Sequence, residues 1–284
     1  MKLIFLFVLA FFTHFLWSQN EKAFVIYDKN GKKTTYAKMV KAASDKQVIL
    51  FGEFHDNPIA HWLEFELSKE LHKKHSKNFV LSFEMFEQDQ QHLLTQFIIQ
   101  KIDEKTFKDS MRLWPNHFTD YHPIVNYARE NGIPCVAANI ERKYASLLFK
   151  KGRQALDTLS ELKKSQMAPI DFPVDTTLSQ YIEVKKMGGH RGANMLEAQA
   201  IKDATMAKFI LASLKENIHI LHINGAFHSD FYQGILWYLL REKKDLTYLT
   251  ISTVTQENIH KMDKEHLGKA DFIICVPETM TRTH

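Results

Sequence analysis

Six short apolar runs recur along this chain, most of them followed by a segment with helical spacing. That alternation limits the fold more than any other feature. The runs are residues 48–51, 79–83, 133–138, 218–223, 246–252 and 272–276. Each is nearly continuously apolar, as expected of strands covered on both faces. Pro58 opens a stretch to about residue 75 in which Ile59, Trp62, Leu63, Phe65, Leu67 and Leu71 share a helical face. After the second run, Leu93, Leu94, Phe97 and Ile98 do the same. Strands alternating with helices predict an α/β fold, a mostly parallel sheet flanked by helices. Residues 141–217 carry no strand pattern and read as a small all-helical subdomain inserted before a late core strand. Residues 23–27, followed by Asn30-Gly31, predict an edge hairpin, and a short helix over 36–44 leads into the first run.

The 284 residues, 45% hydrophobic and 25% charged, suffice for one sizeable core. Residues 3–17 are mostly apolar, preceded by Lys2 and followed by a polar exit at Ser18-Gln19-Asn20. The run is short for a membrane span, so residues 1–19 read as a secretory signal peptide. The expectation is an exported protein, periplasmic or associated with the envelope. No cysteine follows the apolar run, which excludes lipidation there. Cys135 and Cys275 both fall in strand-like runs and are expected to be inert core thiols. The net charge is +4, and the Lys pairs are scattered rather than massed. Nucleic acid is therefore not an expected partner. Fifteen histidines leave metal and haem chemistry open.

Two motifs of the same form, Gly52-Glu53-Phe54-His55 and Gly225-Ala226-Phe227-His228, directly follow the first and fourth runs. In open α/β sheets, ligands bind beyond the carboxyl ends of the strands. Here those ends carry Glu53 and His55, then Glu84, then Asn139, then Asn224 and His228. One cleft built from all of them is expected. His55, His228 and Glu53 form a plausible metal-ligand set. Without a metal, Glu53 and Glu84 beside the histidines suit general acid–base work. Each motif alone has only two fixed residues. The competing readings are His55 as a polar residue at a helix start, His228 as a histidine starting a helix over 231–240, and Glu84 as a buried salt bridge.

Five ordered segments carry a resemblance. They are Gly52-Glu53-Phe54-His55-Asp56, Phe83-Glu84-Met85-Phe86-Glu87-Gln88-Asp89-Gln90-Gln91, Ala138-Asn139-Ile140-Glu141-Arg142, Ala198-Gln199-Ala200-Ile201-Lys202-Asp203-Ala204-Thr205-Met206-Ala207, and Asn224-Gly225-Ala226-Phe227-His228. Together they resemble the ChaN-like haem-binding uptake family, grouped with the Tiki proteins and similar to erythromycin-esterase-like proteins. The resemblance implies one domain over residues 23–280, with the helical insertion at about 141–217. It implies haem binding at the bacterial envelope in iron acquisition, envelope haem-uptake components as partners, and haem held at a homodimer interface through a Tyr ligand. No motif maps that ligand. Tyr181 and His190 are one candidate pair, the latter in the Gly-rich Met187-Gly188-Gly189-His190-Arg191-Gly192; Tyr121 beside His122, near Trp114 and Phe118, is another. Asn139 and Asn224 complete the expected cofactor-binding set. In the Tiki branch, two Gly-x-x-His motifs with a Glu look like a protease metal site. The alternative is thus a hydrolase dependent on a divalent transition metal, with Glu53 and Glu84 catalytic. Well-known members of the family are lipoproteins, and this chain lacks their lipidated Cys.

Overall fold

A computed structural model describes residues 22–283, so the signal peptide expected over 1–19 lies outside the described residues. Seven strands form one sheet: β1 (Val25–Asp28), β2 (Val48–Glu53), β3 (Phe79–Glu87), β4 (Cys135–Asn139), β5 (His219–Gly225), β6 (Tyr248–Gln256) and β7 (Phe272–Pro277). Their order is β1-β7-β6-β2-β5-β3-β4. Only β1 runs antiparallel, against β7, and every other pairing is parallel. The mostly parallel α/β sheet expected from the sequence is what forms. The chain after β1 returns through Gly31 (φ +76°), and Lys33 bridges back to Tyr27 at the sheet edge.

The helices are α1 (Tyr36–Ala43), α2 (Pro58–His75), α3 (Gln91–Ile98), α4 (Glu104–Ser110), α5 (His122–Asn131), α6 (Arg142–Lys151), α7 (Glu161–Ser165), α8 (Ser179–Met187), α9 (Gly192–Ser213) and α10 (Ile235–Glu242). Alternation along β2 shows how they divide. Ile49 and Phe51 join a core with α1 to α5, while Val48 and Leu50 join the opposite core with α6, α8, α9 and α10. The all-helical stretch before β5 therefore covers one face of the sheet and shares its core with the strands. Among the described residues, no helix is long and apolar enough to cross a membrane. Cys135 and Cys275 are buried and free.

Three local readings change. β3 does not stop at residue 83 but continues to Glu87, with a register break between Phe83 and Glu87 against β4, so Glu84 lies inside a strand. The helix after β5 begins only at Ile235, and His228 belongs to a 3-10 turn, Ala226–His228. On α2, Trp62 is half exposed, whereas His61 and Glu64 are buried. The start of that helix is set as the sequence implies. Pro58 sits in the first turn, and the Asn57 side chain accepts from the Ile59 and Ala60 amides, both at 3.0 Å.

Gly52 shows why a glycine stands next to the end of β2. A Cβ there would lie 2.8 Å from the Ala226 Cα and 3.1 Å from the Ile251 carbonyl oxygen. Both are backbone atoms and cannot rotate away. Gly52→Ala is expected to cost about 1–3 kcal/mol of stability through overpacking. The check is a lowered urea midpoint with an unchanged m-value.

Candidate functional site

The parallel strands point their carboxyl ends at one edge, and β2, β5 and β3 are neighbours there. Glu53 pairs in register with Gly225, and Phe83 with Ile223. Glu84 thus emerges beside Gly225, whose amide donates to Glu84 Oε2 at 2.8 Å. Gly225 also clears space for the other motif. A Cβ on it would sit 2.7 Å from His55 Nε2. The two glycines are reciprocal: Gly52 admits the backbone of the second motif, and Gly225 admits the histidine of the first.

Each histidine is collared by carboxylates. Glu53 Oε1 accepts from His55 Nδ1 and from the Tyr121 hydroxyl, both at 2.7 Å. Edge-on contact with Trp114, ring centroids 4.8 Å apart, fixes the outer side of the His55 ring. Burial works against the His55 cation, but Glu53 and Glu84 outweigh it and raise its pKa. Glu53 is fully buried, which disfavours its charge, yet the His55 and His61 rings hold its pKa down at about 2. His228 lies between two acids, Asp203 against Nδ1 and Glu84 Oε1 3.2 Å from Nε2. Burial opposes its charge, and these two carboxylates overcome that, raising its pKa to about 10. Glu84 in turn stays ionised despite burial, held well below the usual carboxylate range chiefly by His228. At neutral pH the cleft therefore contains a fixed imidazolium, His228, and a part-buried His55 whose cation is also favoured by its neighbours.

A cleft of about 820 Å³ opens over these groups, lined among others by His55, Glu84, Trp114, Asn139, Lys202 and His228. An adjoining recess of about 330 Å³ has apolar walls from Phe54, Val184, Met187, Met195 and Phe227. The larger cleft is within the ~300–1,000 Å³ usual for small-molecule and cofactor sites.

Of the residues singled out from sequence, Glu53, His55, Glu84, Asn139 and His228 line these spaces. Asn224 is fully buried and binds Ser229 Oγ and the Gly225 carbonyl. Tyr121 and Tyr181 are also buried, and each hydroxyl is committed to a carboxylate, Tyr121 to Glu53 and Tyr181 to Asp203 at 2.8 Å. Neither presents an oxygen to the cleft. His190 is exposed on the 3-10 turn Gly189–Arg191, apart from the strand-end residues that line the cleft. Of the expected metal set, His55 and Glu53 are hydrogen-bonded to each other, Glu53 also groups with His61 and Glu64, and His228 lies against Glu84 and Asp203.

Sequence reasoning missed His61, Glu64, Asp120 and Asp203. A signal existed for the first two. His61, Glu64 and Ser68 recur at helical spacing and are all buried on α2, whereas the aromatic residues suggested a face rotated away from them. Asp203 stands inside a quoted segment, an acid among Ala204, Thr205, Met206 and Ala207 that are all buried. Asp120 and Tyr121 come from a single π-helical turn, His117–Tyr121, a geometry frequent at functional sites and without a periodic sequence signature.

A mostly parallel sheet with a polar crevice at its carboxyl edge defines the class, an open α/β protein, in which ligands commonly bind beyond the strand ends. The family model for haem-binding uptake proteins of the Tiki superfamily, ChaN, matches residues 39–239, and the chain belongs to that family. ChaN of Campylobacter jejuni, a structure described by its cofacial haem binding, superposes with a TM-score of 0.69 at 18% identity, covering 89% of this chain and 96% of that one. An erythromycin esterase mutant in its open conformation superposes with a TM-score of 0.52 at 9% identity, covering 87% of this chain and 94% of that one. These likenesses concern the fold. The chain is also 25% identical over 131 residues to the chloroplastic protein RETICULATA-RELATED 5 of Arabidopsis thaliana, a match covering 44% of this chain and 17% of that protein. It spans less than a fifth of that relative.

Proposed function

We propose that this chain binds haem at the strand-end cleft and serves haem uptake as an exported protein of the bacterial envelope. Family membership supports the ligand, and the placement of His55 carries the reading. Its Nδ1 is fixed by Glu53, and its side chain is about a third exposed at the junction of the cleft and the recess. An imidazole held by a carboxylate at one nitrogen is a suitable axial ligand for haem iron. His228 is less suited, since both its nitrogens already face carboxylates. The apolar recess suits the porphyrin plane, and Arg142 and Lys202 on the cleft rim suit its propionates. Phe54 and Met187 are exposed and line the recess, an apolar surface that a second copy of the chain would cover. Haem is cargo here, and the protein's part is to orient it and shield it from water.

The test is haemin titration followed by Soret absorption. A saturable shift at one equivalent per chain is expected. Linear, non-saturating absorption would overturn the reading. A second reading, a hydrolase, is favoured by one observation: His55 and His228 each carry a carboxylate at Nδ1, the arrangement of a general base or acid. Ester turnover that survives in haem-free protein and disappears in Glu84→Gln would favour it.

A further inference from the structure

On the α2 side of the cleft lies a group of side chains that haem binding leaves unused. Glu53 spends one oxygen on His55 and Tyr121. Its other oxygen, Oε2, turns inward and lies 2.9 Å from Nδ1 of His61. The same Nδ1 is 3.5 Å from Glu64 Oε2. His61 and Glu64 stand three residues apart on one face of α2. The side chains of Glu53 and Glu64 are fully buried, and that of His61 is 5% exposed. Glu53 Oε2, His61 Nδ1 and both Glu64 oxygens lack an aligned hydrogen-bond partner. Buried polar atoms nearly always have aligned partners, and these four face one another closely without good hydrogen-bond geometry, an arrangement that an ion between them would satisfy.

The geometry points to a buried binding site for a divalent first-row transition cation, of the zinc or manganese class, formed by Glu53, His61 and Glu64. Donor atoms of the three lie within 4.8 Å of one another. Separations of 2.9 and 3.5 Å are those of adjacent donors on one ion with bonds of about 2.0–2.2 Å. One imidazole with two carboxylates is a borderline-to-hard donor set suited to such ions. Two carboxylates also neutralise a doubly charged ion, so burial leaves no uncompensated charge. The far nitrogen of His61, Nε2, lies 3.4 Å from Asp120 Oδ2, close but without an aligned hydrogen bond. That carboxylate is anchored by Asn116 Nδ2 at 2.6 Å and Thr283 Oγ1 at 2.7 Å. A carboxylate behind a histidine is the usual outer support of a metal-bound imidazole. Because Glu53 is shared, an ion on one of its oxygens would steady the His55 ring on the other. The inference does not require haem, since its donors, Glu53 Oε2, His61 Nδ1 and the Glu64 carboxylate, are all buried.

The experiment starts from the full folded chain, stripped by chelation and titrated with Zn²⁺ and Co²⁺. One equivalent of Zn²⁺ should bind and raise the melting temperature. X-ray absorption on the zinc form should show one imidazole and two or more oxygens at about 2.0–2.2 Å. Glu64→Gln should weaken binding by at least the ~10–100-fold that loss of even an outer partner costs. No stoichiometric binding by the wild-type chain overturns the proposal. So does retention of the ion in Glu64→Gln with its loss in His228→Ala, which would put it in the cleft. Should Glu64→Gln not fold, the wild-type absorption spectrum decides, because two imidazoles on the ion are incompatible with a site whose one histidine is His61.

Discussion

His55→Ala should weaken haemin binding about 100-fold, roughly 2.8 kcal/mol, with little loss of stability. The affinity loss follows from geometry. His55 is the imidazole at the junction of cleft and recess, and its Nδ1 is already oriented by Glu53. Alanine removes the ligand and the ring that Trp114 packs against edge-on. Stability changes little because the ring is about a third exposed, and Glu53 Oε1 keeps the Tyr121 hydroxyl when His55 is gone. Soret titration and urea unfolding, run on the same preparation, separate the two effects. Equal affinity in variant and wild type would remove His55 from the iron. If His190→Ala alone abolished the Soret shift, the ligand would belong to the exposed turn before α9.

His228→Ala should act in the opposite sense, as a stability defect of about 3–5 kcal/mol. The substitution leaves Asp203 and Glu84 buried without the cation between them. For a chain of this size the melting temperature should fall on the order of 10 °C. The isosteric, uncharged His228→Gln tests the charge itself through pH. The folded pKa of His228 is raised from 6.5 to about 10. A raised pKa means the stabilisation is complete below the unfolded value and is lost as pH climbs through the folded one. The gap between wild type and His228→Gln should therefore be widest near pH 6 and close steadily toward about pH 10. Glu84, held low by the same ring, gives a stabilisation that is complete above its ordinary value and is lost progressively as pH falls below it. A gap that widened with alkaline pH would show that His228 is buried neutral.

The two predictions lean on residues that differ in how readable they are from sequence. Strand ends are legible because buried parallel strands are short apolar runs, and the first polar residue after each run marks an edge position. Glu53, His55, Asn139 and His228 lie at the carboxyl edge by that logic. Glu84 shows its limit, since an apolar run does not reveal that β3 continues through Met85 and Phe86 past a register break. The partners are harder to read. Whether His61 or Trp62 faces the sheet is a rotation of one residue on α2, and large aromatics pull the reading toward themselves although Trp62 lies half exposed. Asp203 is a lone acid on a long helix, indistinguishable from a solvated one until α9 is laid against the sheet. Tyr181 and Tyr121 look like available phenols in sequence, and only packing shows their oxygens turned to carboxylates.

The sheet order carries a consequence for how this molecule comes into being. β5 is made late, yet it lies between β2 and β3, which touch each other nowhere as neighbours. Until residues 219–225 are synthesised, β3 and β4 can pair with each other, while β2 has no partner strand and both leave open edges. Closing them requires pairings across long stretches of sequence, which are slow to form and leave apolar strand edges exposed meanwhile. The insertion of β5 between β2 and β3 is also the event that brings Gly225 beneath His55 and sets His228 against Glu84. Bridging of β2 to β3 and assembly of the strand-end site are thus a single step, and a nascent chain that has not taken it lacks the site and is prone to aggregate.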